Sequence, residues 1–153
     1  MENMHLIMEK KYHLIDLIKG VSDLYLEKGG DTVDTDSQWG LYIKKLNLYQ
    51  MTLISVENNF NVYQKNMECY LLPLPKFDQD ENVMIPPPFA LKNNLMFISS
   101  GETVCDVIVS ALLQKANATI DELVDALNYY AKNDAFIEYD KENSCWLYYE
   151  NNY

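Results

Sequence analysis

The residue patterning predicts an α+β fold, and three observations carry that class. The first 30 residues repeat apolar side chains at a helical period, the middle of the chain carries β-branched and aromatic runs, and two capping-box spacings open helical stretches after residue 95. With 153 residues, 48% hydrophobic and 23% charged, the chain is long enough to bury a core and short for two independent ones. The expected organisation is an N-terminal amphipathic helix with a β-hairpin over residues 1–72, a Pro-rich connector over 73–94, and an acidic, aromatic-rich helix–helix–hairpin module over 95–153. Together they make one compact domain.

Over residues 4–27, Ile7, Leu14, Leu17, Ile18, Val21, Leu24 and Tyr25 share one helical face, with Glu9, Asp16, Lys19, Asp23 and Glu27 on the other. Gly29 and Gly30 end this helix, and residues 31–37 follow as a polar, acidic loop. Residues 39–49 read as a second helix, with β-branched and aromatic content rising from Leu48. The runs 51–56 and 61–72 flank Glu57-Asn58-Asn59-Phe60, whose paired Asn residues suit a turn, so they predict a β-hairpin. All five prolines fall between Pro73 and Pro88, beside Asp78, Asp80 and Glu81. Neither a helix nor a central strand accommodates them, so this is the connector, with Pro86-Pro87-Pro88 in polyproline II form.

Residues 95–98 predict a short strand. Ser99, three residues before Glu102, caps a helix running to about Lys115, which Val104, Cys105, Val107, Ile108, Val109, Ala111, Leu112 and Leu113 make apolar on nearly all sides and therefore central. Thr119 and Glu122 repeat the spacing and open a helix to about Asn133, with Ile120, Leu123, Val124, Leu127, Tyr130 and Ala131 facing inward. Residues 136–139 and 145–149 flank Asp140-Lys141-Glu142-Asn143 as a closing hairpin. The order helix, capped helix, hairpin over residues 99–149 resembles a winged-helix domain in outline. That resemblance implies a scaffold of this kind, with residues 128–135 in the place of its recognition helix.

The charge balance excludes some partners. Twelve basic residues against 23 acidic ones leave −11, and every basic residue is Lys. Duplex nucleic acid needs clustered cations, and the planar Arg fork that grips phosphate is missing. Asp34-Thr35-Asp36-Ser37-Gln38-Trp39-Gly40 begins like a calcium loop, but its Gly falls one place late and Lys45 stands where the bidentate Glu belongs. His5 and His13 have no metal-ligand spacing, and no glycine-rich phosphate loop is present. A nucleophilic Cys–His pair has no local support, and Cys69, Cys105 and Cys145 read as reduced, mostly buried thiols. Leu72-Pro73-Leu74-Pro75-Lys76 reads as a stiff connector rather than a proline-rich ligand. No cofactor, metal or catalytic set is expected. Without a signal-peptide core or an apolar run of membrane-spanning length, a cytoplasmic location follows as an expectation.

Residues 102–153 hold −7 of the net charge, and residues 1–101 hold −4. Eight of the 19 aromatic residues also lie in the last 25 positions. Asp121, Glu122, Asp125, Glu138, Asp140 and Glu142 are therefore the expected partner-facing acids, standing in for phosphates, and Tyr129, Trp146 and Tyr148 the anchoring rings. The function expected is binding, and inhibition or regulation, of a basic nuclease or other nucleic-acid-handling protein by steric and electrostatic occupancy. Acidic phage inhibitors of restriction or CRISPR nucleases, and immunity proteins against nuclease toxins, are similar in size and charge. The alternatives are a degenerate winged-helix or structural subunit that forms a homo-oligomer, and an acidic secretion chaperone.

Overall fold

The computed structural model describes residues 8–35, 37–54 and 61–139. Its elements are β1 (Lys11–His13), α1 (Leu14–Lys28), α2 (Gly30–Thr35), β2 (Gly40–Lys44), α3 (Leu48–Thr52), β3 (Glu68–Leu72), β4 (Lys76–Asp78), β5 (Val83–Ile85), α4 (Pro88–Lys92), β6 (Leu95–Ser100), α5 (Gly101–Gln114) and α6 (Ile120–Asn133). The fold is α+β. An antiparallel sheet runs in the order β1-β3-β2-β6, and β4 with β5 forms a separate two-stranded ribbon.

Alternate residues of a strand leave its two faces, and β2 and β3 are apolar toward both. Leu41, Ile43, Cys69 and Leu71 face the helices and share one core with Leu14, Leu17 and Ile18 of α1, Val104 and Ile108 of α5, and Leu123 and Leu127 of α6. Tyr42 and Leu72 point the other way, into a smaller cluster with Ala90 and Leu95 that α4 covers. The main core thus draws on residues from Tyr12 to Leu127, joining the two expected halves.

The junction of β6 and α5 is tight. The Gly101 N–H donates to the Trp39 carbonyl at 2.6 Å, and Ser100 Oγ accepts from the Thr103 N–H at 3.2 Å. A Cβ on Gly101 would lie 2.5 Å from the buried Trp39 indole and 2.6 Å from the Ser37 carbonyl oxygen. Gly101→Ala is therefore expected to destabilise the fold by about 1–3 kcal/mol through overpacking. A urea midpoint equal to wild type would show that the indole yields without cost.

Several expectations are corrected. The first helix starts at Leu14, because Lys10 and Lys11 interrupt the apolar stripe between Ile7 and Leu14; Lys11–His13 is a strand paired with β3. Gly29, at φ 87°, ends α1 as expected, but Gly30–Thr35 is a short helix rather than a loop. Residues 40–44 are a strand and not a helix. Their Leu-Tyr-Ile run is apolar toward both faces of the sheet, which hides the two-residue period.

The hairpin expected over 51–72 is absent among the described residues. Leu48–Thr52 is a helix whose Asn47 and Gln50 form a capping box, and β3 pairs with β1 and β2 instead. The Asn58-Asn59 turn lies outside the described residues. The connector contains the β4–β5 ribbon and α4, and of its three final prolines Pro88 is helical. α5 is capped by Ser100 rather than Ser99, and its Leu113 is exposed. α6 begins and ends where its spacing predicts.

The winged-helix outline holds only for the capped helix pair. Residues 128–133 continue α6 instead of forming a separate helix, and the sheet under the pair comes mostly from the N-terminal half. Residues 136–139 join neither sheet, and the rest of the expected closing hairpin lies outside the described residues.

Candidate functional site

α6 presents three of the six acids singled out above, Asp121, Glu122 and Asp125, and its local chemistry sorts them. Thr119 Oγ1 accepts from the Glu122 N–H at 3.2 Å, while Glu122 Oε1 accepts from the Thr119 N–H at 3.1 Å. This reciprocal cap satisfies two helix-end donors. The other Glu122 oxygen takes the Lys115 ammonium at 2.7 Å. The Lys115 bond first, and the Thr119 N–H next, hold the Glu122 carboxyl below its ordinary range. Asp121 meets Lys65 at 3.2 Å, with both side chains well exposed. Glu122 is thus committed to the fold, Asp121 is loosely shared, and Asp125 and Glu138 stand exposed.

The inner side of α6 has an anchor that the apolar stripe conceals. Asn128 is buried, accepts the Tyr63 N–H at 2.8 Å and donates to the Tyr63 carbonyl at 2.9 Å. One side chain thereby satisfies both backbone groups of a buried residue in the segment leading to β3. The sequence signal was an amide one helical turn beyond Val124, on the flank of the inward stripe.

Beyond α6 the chain folds back. The Gln114 side chain donates to the Ile137 carbonyl at 2.7 Å and accepts the Tyr139 N–H at 3.1 Å. The Tyr139 hydroxyl donates to the Glu122 carbonyl at 3.2 Å. Partial burial, then the carboxylates of Glu122 and Asp125, push that phenol above its ordinary pKa.

Two clefts flank α6. One, of about 400 Å³, is lined by Asn61, Asp125, Asn128, Tyr129, Lys132, Asn133 and Ile137. It gathers the exposed carboxylate, the 39%-exposed Tyr129 ring and the segment carrying Glu138. The other, of about 640 Å³, lies between β6, α5 and α6, with Tyr63, Ser99, Ser100, Thr103 and Tyr130 supplying its hydroxyls. The structure therefore brings Asp125 and Tyr129 together and directs Glu122 elsewhere. Asp140, Glu142, Trp146 and Tyr148 lie outside the described residues.

The cysteine chemistry is also placed. Cys69 pairs with Tyr12 on the helix face of the sheet, whereas His13, the next residue, is exposed beside Asp16 at 3.9 Å. Adjacent strand positions on opposite faces keep that thiol and imidazole apart. Burial pushes the Cys69 thiol up to about 12, where it is protonated at neutral pH. Among the described residues no group of three or more His, Cys, Asp or Glu is placed to hold a metal ion, and no helix is long and apolar enough to cross a membrane.

No curated protein and no solved structure matches the chain. A family model matches residues 34–139, from the end of α2 through α6 to Tyr139, and so takes in both clefts and the β4–β5 ribbon. On that match the chain belongs to the family described as a domain of unknown function, DUF7716.

Proposed function

We propose that the protein acts by binding a basic, nucleic-acid-handling protein and occupying the surface that normally receives phosphates, within a reducing, cytoplasmic compartment. The observation that carries this reading is the convergence of Asp125 and Tyr129 on one exposed cleft of α6, with Ile137 as its apolar wall. A Lys or Arg side chain entering there would meet the Asp125 carboxylate for its charge and the Tyr129 ring for its cation, in a cleft that Lys132 also lines. Asp121 and Glu138 extend the negative field around the cleft and steer encounter. Glu122 contributes by holding the start of α6 in place, through its bonds to Thr119 and Lys115.

The test is capture from a host lysate with the full chain at low and at high salt, followed by association kinetics with the protein recovered. The expected result is a basic protein whose association rate falls steeply with ionic strength. Asp125→Lys is expected to weaken its binding by more than about tenfold, since like charges across an interface cost several kcal/mol. Glu27→Lys, on the exposed face of α1, serves as the equal-charge control. Binding that survives Asp125→Lys, or that is indifferent to salt, would remove the reading.

A further inference from the structure

We propose that the β4–β5 ribbon is a self-association arm: β5 of one copy pairs antiparallel with β5 of a second copy about a two-fold axis, merging two ribbons into one four-stranded sheet. This inference does not depend on the role proposed for α6.

Among the described residues the apolar side chains of the ribbon, like those of the short helix α3, do not serve the protein's own cores. Leu74, Phe77, Val83, Met84 and Ile85 are 42%, 53%, 44%, 55% and 45% exposed, and none of them packs in either hydrophobic cluster. Three consecutive apolar residues in β5 leave both faces of the ribbon apolar. A ribbon laid against its own sheet would bury one of those faces, and here both meet solvent. Its sheet contains β4 and β5 alone, so the outer edge of each is open. A lone two-stranded hairpin is marginal in water, and an open apolar edge is a template for another strand. The prolines flank the ribbon at Pro73, Pro75 and Pro86–Pro88, leaving the strand backbones themselves free to pair.

The charges choose the occupant. Asp78 Oδ1 accepts the N–H groups of Asp80 and Glu81 at 2.9 and 3.3 Å, which places three carboxylates at the turn. Lys76 stands at the opposite end, across from Ile85. A two-fold pairing with Met84 against its own counterpart sets Val83 against Ile85 of the second copy. It also brings each acidic turn toward the base of the other ribbon, where Lys76 stands. A parallel pairing would stack acid on acid. The pattern is therefore complementary to itself when reversed, as an isologous interface requires. Pairing at the β5 edge joins the backbones and sets Val83, Met84 and Ile85 beside their counterparts along the seam.

Sedimentation velocity of the full chain across the micromolar range tests this. The expected result is a monomer–dimer equilibrium that Met84→Lys weakens by at least about tenfold without changing the thermal midpoint, since that side chain is already half exposed. Met84→Cys is expected to give a disulfide-linked dimer through residue 84 under mild oxidation, whereas Glu27→Cys gives none, because only the two-fold register brings position 84 opposite itself. A wild-type chain that stays monomeric into hundreds of micromolar overturns the proposal. So does a dimer that Met84→Lys leaves intact, which would place the contact elsewhere. Loss of a heterologous partner in Met84→Lys, with no self-association in wild type, overturns it in favour of a different protein at the ribbon.

Discussion

Asn128→Ala is expected to lower the unfolding free energy by about 2–5 kcal/mol, the cost of leaving two buried backbone groups without partners. The Tyr63 N–H and carbonyl both bond to this one amide, and Tyr63 and Asn128 are each only 6% exposed. The truncated side chain removes donor and acceptor together, and the apolar area exposed by the change is small. The loss should therefore appear as a shifted urea midpoint with an unchanged slope. Asn128→Asp separates the two bonds. Its carboxylate can still accept the Tyr63 N–H but faces the Tyr63 carbonyl with no proton to give. Protonation restores a donor, so the folded-state pKa of this Asp would be raised above its unfolded value. Its deficit against wild type is then smallest in acid and grows as pH rises through that raised value. Equal deficits at pH 4 and pH 7 would show that the Tyr63 carbonyl does not depend on this donor.

The sequence made helices with one apolar stripe legible and concealed elements apolar on two sides. Thr119, Glu122 and the stripe Leu123–Val124–Leu127 specified α6 to within a residue, because a reciprocal cap and a 3.6 period are local signals. β2 was concealed because Leu41 and Ile43 serve the main core while Tyr42 serves the α4 cluster, so the strand shows an unbroken apolar run. The ribbon was concealed by proline density. Asp78 and the left-handed Asn82, at φ 55°, were the turn signal between Phe77 and Val83 that the proline count outweighed. Within the site, Asp125 and Tyr129 were legible from the outward face of α6. The commitment of Glu122 to Lys115 was not, because Lys115 precedes the helix and approaches only through the turn between α5 and α6. The Asn128–Tyr63 clamp joins residues 65 positions apart, a separation that no local pattern encodes.

Raising the pH above about 9 is expected to destabilise the protein steeply. Burial holds the Cys69 thiol at about 12 against an ordinary 9.0, and the Tyr42 and Tyr63 phenols at about 12 against 10.0. For Tyr63 a hydrogen bond with Ser99 works against burial, and the nearby Cys69 works with it. The Tyr42 hydroxyl also donates to the Pro73 carbonyl at 2.9 Å, a bond that only the neutral phenol can make. Below about pH 8 all three groups are protonated in both states and contribute nothing to the pH dependence. Between about 8 and 12 the unfolded chain releases these protons while the folded chain keeps them. The folded state then binds more protons, and stability must fall with pH. Each group costs up to about 1.4 kcal/mol per pH unit once its unfolded form has ionised. Three groups together remove several kcal/mol by pH 11, a large share of the roughly 5–15 kcal/mol that holds a typical domain folded. Urea midpoints measured from pH 8 to 11 should stay nearly level to about 9 and then drop steeply, with tyrosinate absorbance rising together with the loss of helix signal. Tyr42→Phe gives up the Pro73 bond, so it starts less stable, yet its decline above pH 10 should be shallower because one of the three protons is gone. Midpoints that remain level through pH 11 would mean that these side chains ionise in place, without the burial that raises them.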